Sequence, residues 1–324
     1  MPLLALLLLV GCPGPACDTG SSWMAPPLEP IVTPCPVASL AFASAARGGV
    51  ACAGDSGVAF TENGGVTWAF EPLSQGLLPQ AVAVTPHGEF RACARGPGSR
   101  GVILARRKGA WAEVARLPLA GPCTALGAGD GGRLLVRLSR TSWAESEDGG
   151  RSWRTGPGTP VHVVDIDPGA GWGGFLLLNA GRQFLHLPGL VRSPPPLPED
   201  FEARALAVGG LEALLVGGEQ EGAEGDPRAV LAFEGGSGWI RPRVPPGIGT
   251  VEDVAAGPEA LAFVAVGRAT LASDGGYALV TRNPTAGVAL RVAPVPLVEV
   301  VPAGRRYLAR GSDGSVWRGD FLQP

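Results

Sequence analysis

Tryptophan recurs along this chain at a nearly constant interval. Trp68, Trp111 and Trp153 are 43 and 42 residues apart, and Trp239 follows after another 86 residues, twice the same interval. A fixed period of this length indicates a repeat architecture, in which each unit buries its apolar surface against its neighbours. The chain is therefore predicted to be an array of similar units.

Each unit is predicted to contain four short strands. In the first unit, residues 37–42, 50–54, 58–61 and 67–70 are short apolar runs separated by Gly, Asp, Asn and Ser. The 50 glycines and 32 prolines of the chain disfavour long helices. Four strands in a repeat of roughly 40 to 50 residues are typical of a β-propeller blade.

The number of blades follows from where the innermost strands begin. We predict seven starts, near Val37, Ala81, Thr124, His162, Ala205, Val251 and Leu297. The last unit ends one strand short, and residues 27–33 can supply that outer strand, so that both chain ends close the ring. The prediction is an all-β, seven-bladed β-propeller of four-stranded antiparallel blades over residues 27–324. Six blades is the alternative, because the unit around residues 194–196 lacks a clear fourth strand.

Composition excludes two classes of protein. With 45% hydrophobic and 17% charged residues, the chain is too apolar to be intrinsically disordered. Its formal net charge is -3 and it contains no run of Lys or Arg longer than three residues, whereas nucleic-acid binders carry a basic surface. We expect no nucleic-acid partner.

The N-terminus resembles a bacterial lipoprotein signal. Residues 3–10 form an apolar run too short to span a bilayer but suited to a secretory signal. Residues 9–12, LVGC, are similar to a lipobox, which implies a signal peptide over residues 1–12 and lipidation of Cys12. Residues 13–26 would form a flexible tether. We expect export and anchoring to a bacterial envelope membrane, periplasmic or surface-facing; simple secretion or an upstream start codon are the alternatives.

The cysteines suit an exported chain but do not reveal their pairing. Five follow Cys12, an odd number, so at least one stays unpaired if disulfides form. Cys52 and Cys93 both stand in an Ala-Cys-Ala context. If they occupy equivalent positions in successive units, they point the same way round the ring and do not meet. Small buried residues without disulfides are the alternative.

Two segments share the pattern Ser/Thr-x-Asp/Asn-x-Gly-x-Ser/Thr-Trp. Its members are Thr61, Asn63, Gly65, Thr67 and Trp68 in the first copy, and Ser146, Asp148, Gly150, Ser152 and Trp153 in the second. A third, degenerate copy keeps Asp274 and Gly276. A short acidic or amide side chain can accept turn N–H groups, and glycine can take a positive φ. We therefore predict a structural role for these residues.

The two copies resemble the Asp box of BNR-repeat β-propellers. The resemblance implies that each box joins the third and fourth strands of a blade, away from the usual ligand face. Relatives with such boxes include sialidases and other glycoside hydrolases, sortilin-type receptors, and assembly platforms similar to the photosystem II stability factor. A small exported chain without an added catalytic domain is most similar to the last kind.

Other motifs predict no catalytic residue, metal or cofactor. A sialidase-like site would need, by resemblance, a tyrosine nucleophile with a glutamate and three arginines, and only Tyr277 and Tyr307 exist. The G-x-G-x-x-G segments at 127–132 and 169–174 would bind a dinucleotide only before a helix, and strands are predicted there. The three histidines fall in different units, which disfavours zinc.

The predicted binding face carries an acidic loop. Residues 217–227 include Glu219, Glu221, Glu224 and Asp226, between the second and third strands of the fifth unit. Their spacing matches no defined calcium loop, so a solvated loop is favoured. We predict a monomeric, non-enzymatic binding or assembly platform, anchored to the membrane only by its lipid, with a protein or glycan partner in the cell envelope. A sialidase-like glycoside hydrolase is the alternative.

Overall fold

The regular structure of the chain is almost entirely β. The computed structural model describes residues 26–85, 87–139, 142–155, 163–167, 175–178, 183–186, 196–199, 201–208, 214–220, 228–233, 238–240, 242, 248–257, 262–269, 275–281 and 288–321. Within these ranges the only helical elements are two 3-10 turns, Pro97–Ser99 and Asp130–Gly132. None of the described elements is a helix long and apolar enough to cross a membrane.

The described strands form seven antiparallel sheets. The first strand, β1 (Glu29–Ile31), belongs to the last sheet. Sheet 1 contains β2 (Val37–Phe42), β3 (Gly48–Cys52), β4 (Gly57–Thr61) and β5 (Ala69–Pro72). Sheet 2 contains β6 (Leu78–Val84), β7 (Phe90–Arg95), β8 (Arg100–Arg107) and β9 (Ala110–Ala120). Sheet 3 contains β10 (Ala125–Ala128), β11 (Leu134–Ser139), β12 (Ser142–Ser146) and β13 (Arg154–Thr155). Sheets 4 and 5 contain β14 (Val163–Asp167), β15 (Phe175–Leu178) and β16 (Gln183–His186); and β17 (Phe201–Val208), β18 (Leu214–Gln220), β19 (Arg228–Phe233) and β20 (Trp239–Ile240). Sheets 6 and 7 contain β21 (Ile248–Ala256), β22 (Phe263–Ala269), β23 (Gly276–Thr281) and β24 (Ala289–Ala293); and β25 (Leu297–Ala303), β26 (Arg306–Gly311) and β27 (Val316–Asp320), with β1.

The sheets are arranged as a β-propeller. The first strand of each sheet contacts the first strand of the next, in the order β2, β6, β10, β14, β17, β21 and β25, and β25 contacts β2. Each sequence-predicted start lies in, or directly before, one of these strands. The predicted all-β propeller class is confirmed, and a blade number of seven stays a prediction that matches the sheets of the described residues. In those residues sheet 4 has three strands, where the sequence also lacked a clear fourth.

Both ends of the described chain complete sheet 7, as predicted. Strand β1 pairs antiparallel with β27, with Pro30 opposite Trp317 and Ile31 opposite Val316. Pro30 has no N–H to donate, which is tolerated on an outermost strand. Glu29 forms an ion pair with Arg318 across the same pair of strands. The closing strand thus leaves the ring without an open edge at β27.

Polar side chains of the first strands also join neighbouring sheets. Asp253 Oδ2 accepts a hydrogen bond of 2.7 Å from the Val300 N–H, from sheet 7 to sheet 6. Glu299 Oε1 accepts one of 3.1 Å from the Leu40 N–H, from sheet 1 to sheet 7. Both carboxylates follow a register shift in their strand. Such shifts are typical of β-bulges, which re-aim side chains.

Among the described residues, two disulfide bonds connect neighbouring elements, one within sheet 1 and one between sheets 2 and 3. Cys35, just before β2, is bonded to Cys52 in β3, with Cα atoms 5.6 Å apart. Cys93 in β7 is bonded to Cys123, just before β10, with Cα atoms 6.1 Å apart. The second bond therefore links sheet 2 to the start of sheet 3. Cys17 lies outside the described residues.

The register corrects one expectation about these cysteines. The first strands of sheets 1 and 2 each contain a register shift, which makes Val37 and Pro79, the residues just before the shift, equivalent positions. Val37 lies opposite Cys52, whereas Pro79 lies opposite Ala94. Cys93 is therefore offset by one residue from the position of Cys52, and successive side chains of a strand point to opposite faces. Cys52 packs in the cluster between sheets 7 and 1, and Cys93 in the one between sheets 2 and 3. That the two are not bonded to each other is confirmed, but the expected equivalence is wrong.

Candidate functional site

The turns of the propeller lie on two faces. Because the strands of each sheet are antiparallel, turns between first and second strands share a face with turns between third and fourth strands. We call this the box-turn face, since it carries residues 61–68 and 146–153. The opposite face carries the turns between second and third strands and the connections between sheets, and we call it the junction face.

The box turn of sheet 3 is held by its own side chains. The Ser146 hydroxyl accepts hydrogen bonds from the N–H groups of Asp148 (3.3 Å) and Gly150 (2.8 Å) and donates to Asp148 Oδ1 (2.8 Å). Asp148 Oδ1 also accepts the Ser152 N–H at 2.9 Å, and the Ser152 hydroxyl donates to Asp148 Oδ2 at 2.6 Å. The Trp153 indole N–H donates to the Gly150 carbonyl at 3.1 Å. The hydrogen bonds that the Asp148 carboxylate accepts, those from Ser152 most, hold its pKa well below the ordinary range.

The box turn of sheet 1 repeats this arrangement with different side chains. The Thr61 hydroxyl accepts the Gly65 N–H at 2.9 Å and donates to Asn63 Oδ1 at 2.9 Å. The Asn63 side chain bonds Thr67 twice, accepting its N–H at 2.9 Å and donating to its hydroxyl at 2.8 Å. A Cβ on Gly65, which has φ of 85°, would lie 3.3 Å from the Trp68 ring. The polar groups of both turns are directed at the turns themselves, in keeping with the predicted structural role.

The third copy predicted from the sequence does not lie at the same place in its sheet as the other two. Gly276 is the first residue of β23, the third strand of sheet 6, where it lies opposite Arg268 of β22 and Ala293 of β24. It is thus near the junction face, before the third strand and not after it. Asp274 lies outside the described residues.

Removing the Ser146 hydroxyl is expected to loosen its turn. Ser146 is 2% exposed, so Ser146→Ala would leave buried N–H groups of the turn without an acceptor and lower the free energy of unfolding by about 1–3 kcal/mol. Ser146→Thr is the matched control, because threonine holds the equivalent turn at Thr61. Urea unfolding followed by tryptophan fluorescence measures both. Equal stability of the Ala and Thr variants would contradict the role of the hydroxyl.

Both tyrosines are buried between strands. Tyr277 is 1% exposed, and its hydroxyl donates to the Thr250 carbonyl at 3.0 Å. Tyr307 is 0% exposed, and burial raises the pKa of its phenol far above the ordinary value. A buried, protonated phenol is unsuited to attack a glycan at the surface. Neither tyrosine therefore fits the nucleophile of a sialidase-like site.

The predicted acidic loop is only partly within the described structure. Glu219 belongs to β18, not to a loop, because the β17–β18 ladder continues to Gln220. It forms an ion pair with Arg204 at 3.2 Å. Glu221, Glu224 and Asp226 lie outside the described residues, as does Cys12. Among the described residues, no three His, Cys, Asp or Glu side chains are grouped so that they could hold a metal ion.

A cavity that the sequence did not predict opens on the box-turn face between sheets 2 and 3. Its volume is about 240 Å³, and we call it the turn pocket. Four glycines contribute main chain to its walls: Gly129, Gly131, Gly132 and Gly149. The other described residues that line it are Thr85, His87, Glu89, Arg91, Arg133 and Leu134. The G-x-G-x-x-G segment 127–132 contributes three of these glycines. It lies at the turn between β10 and β11 and is followed by a strand, as predicted.

Carboxylates hold the two arginines of the turn pocket in place. Arg91 Nη2 lies 2.8 Å from Glu89 Oε2, and the Arg91 side chain is 14% exposed. Arg133 Nη2 lies 3.1 Å from Glu145 Oε1, with the two side chains 23% and 1% exposed. Glu145 also binds Arg154 Nη2 at 2.8 Å. Thr85 Oγ1 accepts the Glu89 N–H at 2.9 Å, which fixes the turn that carries Glu89.

Comparison with known proteins supports the fold and leaves the function open. No protein family and no curated protein sequence matches the chain. A solved structure described as YCF48 bound to D1 peptide is 15% identical with a TM-score of 0.63, over 93% of this chain and 96% of that one. YCF48 from Cyanidioschyzon merolae is 16% identical with a TM-score of 0.64, over 91% and 99%. A catalytically inactive virginiamycin B lyase from Staphylococcus aureus with quinupristin is 11% identical with a TM-score of 0.63, over 91% and 99%. At these identities the likeness establishes a β-propeller and nothing finer.

Proposed function

We propose that this chain is an exported, lipid-anchored β-propeller that acts as a non-enzymatic binding or assembly platform for a protein partner in the cell envelope. The two disulfides, Cys35–Cys52 and Cys93–Cys123, carry the proposal of export, because such bonds persist in oxidising compartments and are rare in the cytosol. They agree with the apolar run of residues 3–10 and the lipobox-like end at Cys12.

The platform part of the proposal rests on the fold and on what the site lacks chemically. One similar propeller is described as bound to a peptide, and propellers commonly bind partners through the turns of one face. Another similar propeller is a lyase, so the fold alone does not decide between binding and catalysis. The burial of Tyr277 and Tyr307 disfavours both tyrosines as the nucleophile of a sialidase-like hydrolase.

Affinity capture tests the platform. The tagged, natively processed protein would be recovered from cross-linked envelope extract, and its co-purified proteins identified. Two variants separate the faces: Arg91→Gln with Arg133→Gln on the box-turn face, and Glu221→Gln, Glu224→Gln and Asp226→Asn in the acidic loop predicted for the junction face. One envelope protein recovered repeatedly, and lost with one variant only, supports the platform. Recovery of no protein, together with binding or cleavage of envelope glycans, overturns it.

Lipidation has its own expected result. Cells expressing the chain and fed a labelled fatty acid should incorporate the label into the protein, and the protein should enter the detergent phase on phase separation. Cys12→Ser should abolish both, whereas Cys17→Ser should change neither. Equal labelling of the Cys12→Ser variant would contradict lipid attachment at Cys12.

A further inference from the structure

We propose that the turn pocket binds a carboxylate group of the partner protein. The inference rests on the proposed function only in assigning the carboxylate to a protein. The pocket itself is argued from the charges, walls and size that follow.

The charge that lines the turn pocket favours an anion. Three of the described residues that line it carry ionisable side chains of opposite sign, namely the cations Arg91 and Arg133 and the carboxylate Glu89. The two arginine side chains are mostly buried, at 14% and 23% exposure, whereas the Glu89 side chain is 61% exposed. Water and salt therefore screen the carboxylate more than the cations. Among the described lining residues, two mostly buried cations thus outnumber one exposed carboxylate, which favours an anion as the ligand.

The arginines are held in place before any ligand arrives. Exposed Glu89, which lines the pocket, accepts a hydrogen bond from Arg91, and buried Glu145, which does not line it, accepts one from Arg133. Guanidinium groups bind carboxylates through parallel N–H donors, and fixing the side chains beforehand reduces the entropy lost on binding.

The walls and volume limit what the carboxylate can be attached to. Glycines at 129, 131, 132 and 149 present main chain, and none of the described lining residues is Phe, Tyr or Trp, the side chains on which sugars usually stack. A volume of about 240 Å³ accommodates a group the size of one amino acid. An acidic side chain and a C-terminal carboxylate share this chemistry, and the experiment distinguishes them.

Ligand-observed saturation-transfer NMR on the full, natively processed chain in detergent tests the proposal. The probes are N-acetylglutamate amide for a side-chain carboxylate, N-acetylglutamine for a terminal one, and N-acetylglutamine amide as the neutral control. At least one carboxylate should give saturable binding that weakens as salt is raised, and the neutral compound should not bind. Absence of binding by both carboxylates, or equal binding of the neutral compound, overturns the proposal.

Variants assign the binding to the pocket. Arg91→Gln and Arg133→Gln should each raise the dissociation constant at least about tenfold, because each removes a charge-assisted hydrogen bond. Arg151→Gln, in the box turn but outside the pocket lining, removes the same charge from the same face and should leave the constant unchanged. Equal weakening by all three variants would mean a general charge effect and would overturn the pocket assignment. If a pocket variant fails to fold, the comparison of charged and neutral probes on the unaltered chain still decides. Failure here would leave a captured partner protein standing, so the two proposals can fail separately.

Discussion

Replacing Cys93 and Cys123 together by alanine is expected to lower the free energy of unfolding by about 3–4 kcal/mol. The disulfide closes a loop with a sequence separation of 30 and crosses from sheet 2 to sheet 3, so its loss frees the unfolded chain. Both side chains are buried, at 0% and 3% exposure, and their removal also leaves unfilled space between the two sheets. Urea unfolding of the oxidised protein and of the double variant measures the difference.

Two comparisons make this result specific. Cys35→Ala with Cys52→Ala, which opens a sequence separation of 17, is expected to cost slightly less, about 3 kcal/mol, because the loop is shorter. Cys17→Ala is the control, since the odd number of cysteines after Cys12 predicts an unpaired thiol. An unchanged urea midpoint for the Cys93→Ala, Cys123→Ala variant would show that this disulfide does not stabilise the fold by restricting the unfolded chain.

Gly267→Ala is expected to destabilise the propeller by about 3 kcal/mol or more. Gly267 is buried in β22, where a Cβ would overlap the Thr250 carbonyl oxygen of the neighbouring strand and lie 2.9 Å from the Tyr277 hydroxyl. That hydroxyl donates to the same carbonyl, so the added methyl would also disturb the hydrogen bond. Because the overlap is with backbone, no side-chain rotation can relieve it.

Gly129→Ala provides the control for this substitution. Gly129 takes no positive φ, and the nearest atom to its added Cβ is Arg133 Cβ at 3.5 Å, an ordinary contact. The free energy of unfolding of the Gly129→Ala variant should therefore differ from that of the unaltered chain by less than about 1 kcal/mol. If both alanine variants unfold at the same urea concentration, the close approach of β21 to Gly267 of β22 does not contribute to stability.

The strand-level organisation could be read from the sequence because its signals are local. Alternating apolar runs, glycine turns and the tryptophan interval recur within each unit, and they located the first strand of every sheet that the structure describes. The missing outer strand could be assigned to residues 27–33 because an open edge at β27 would be unfavourable, and Glu29–Ile31 pairs there.

The pairing of cysteines and the third box turn could not be read in the same way. Register shifts in the first strands displace Cys93 by one residue from the position of Cys52, and a one-residue shift reverses the face of a side chain. A single bulge leaves no mark on the apolar pattern. Gly276 shares its local motif with the box turns but begins a third strand, since the motif specifies a turn and not its place in the sheet.

The sequence by itself determined that this chain is a β-propeller of repeated antiparallel sheets, the last of which is completed by a strand from the N-terminal side, because each sheet is specified by short-range alternation and turn chemistry. Only the tertiary structure decided which side chains meet between sheets. The turn pocket joins Arg91 of sheet 2 to Arg133 of sheet 3, which lie 42 residues apart. Such neighbours are set by the rotation from one sheet to the next and by bulges, neither of which a local pattern encodes.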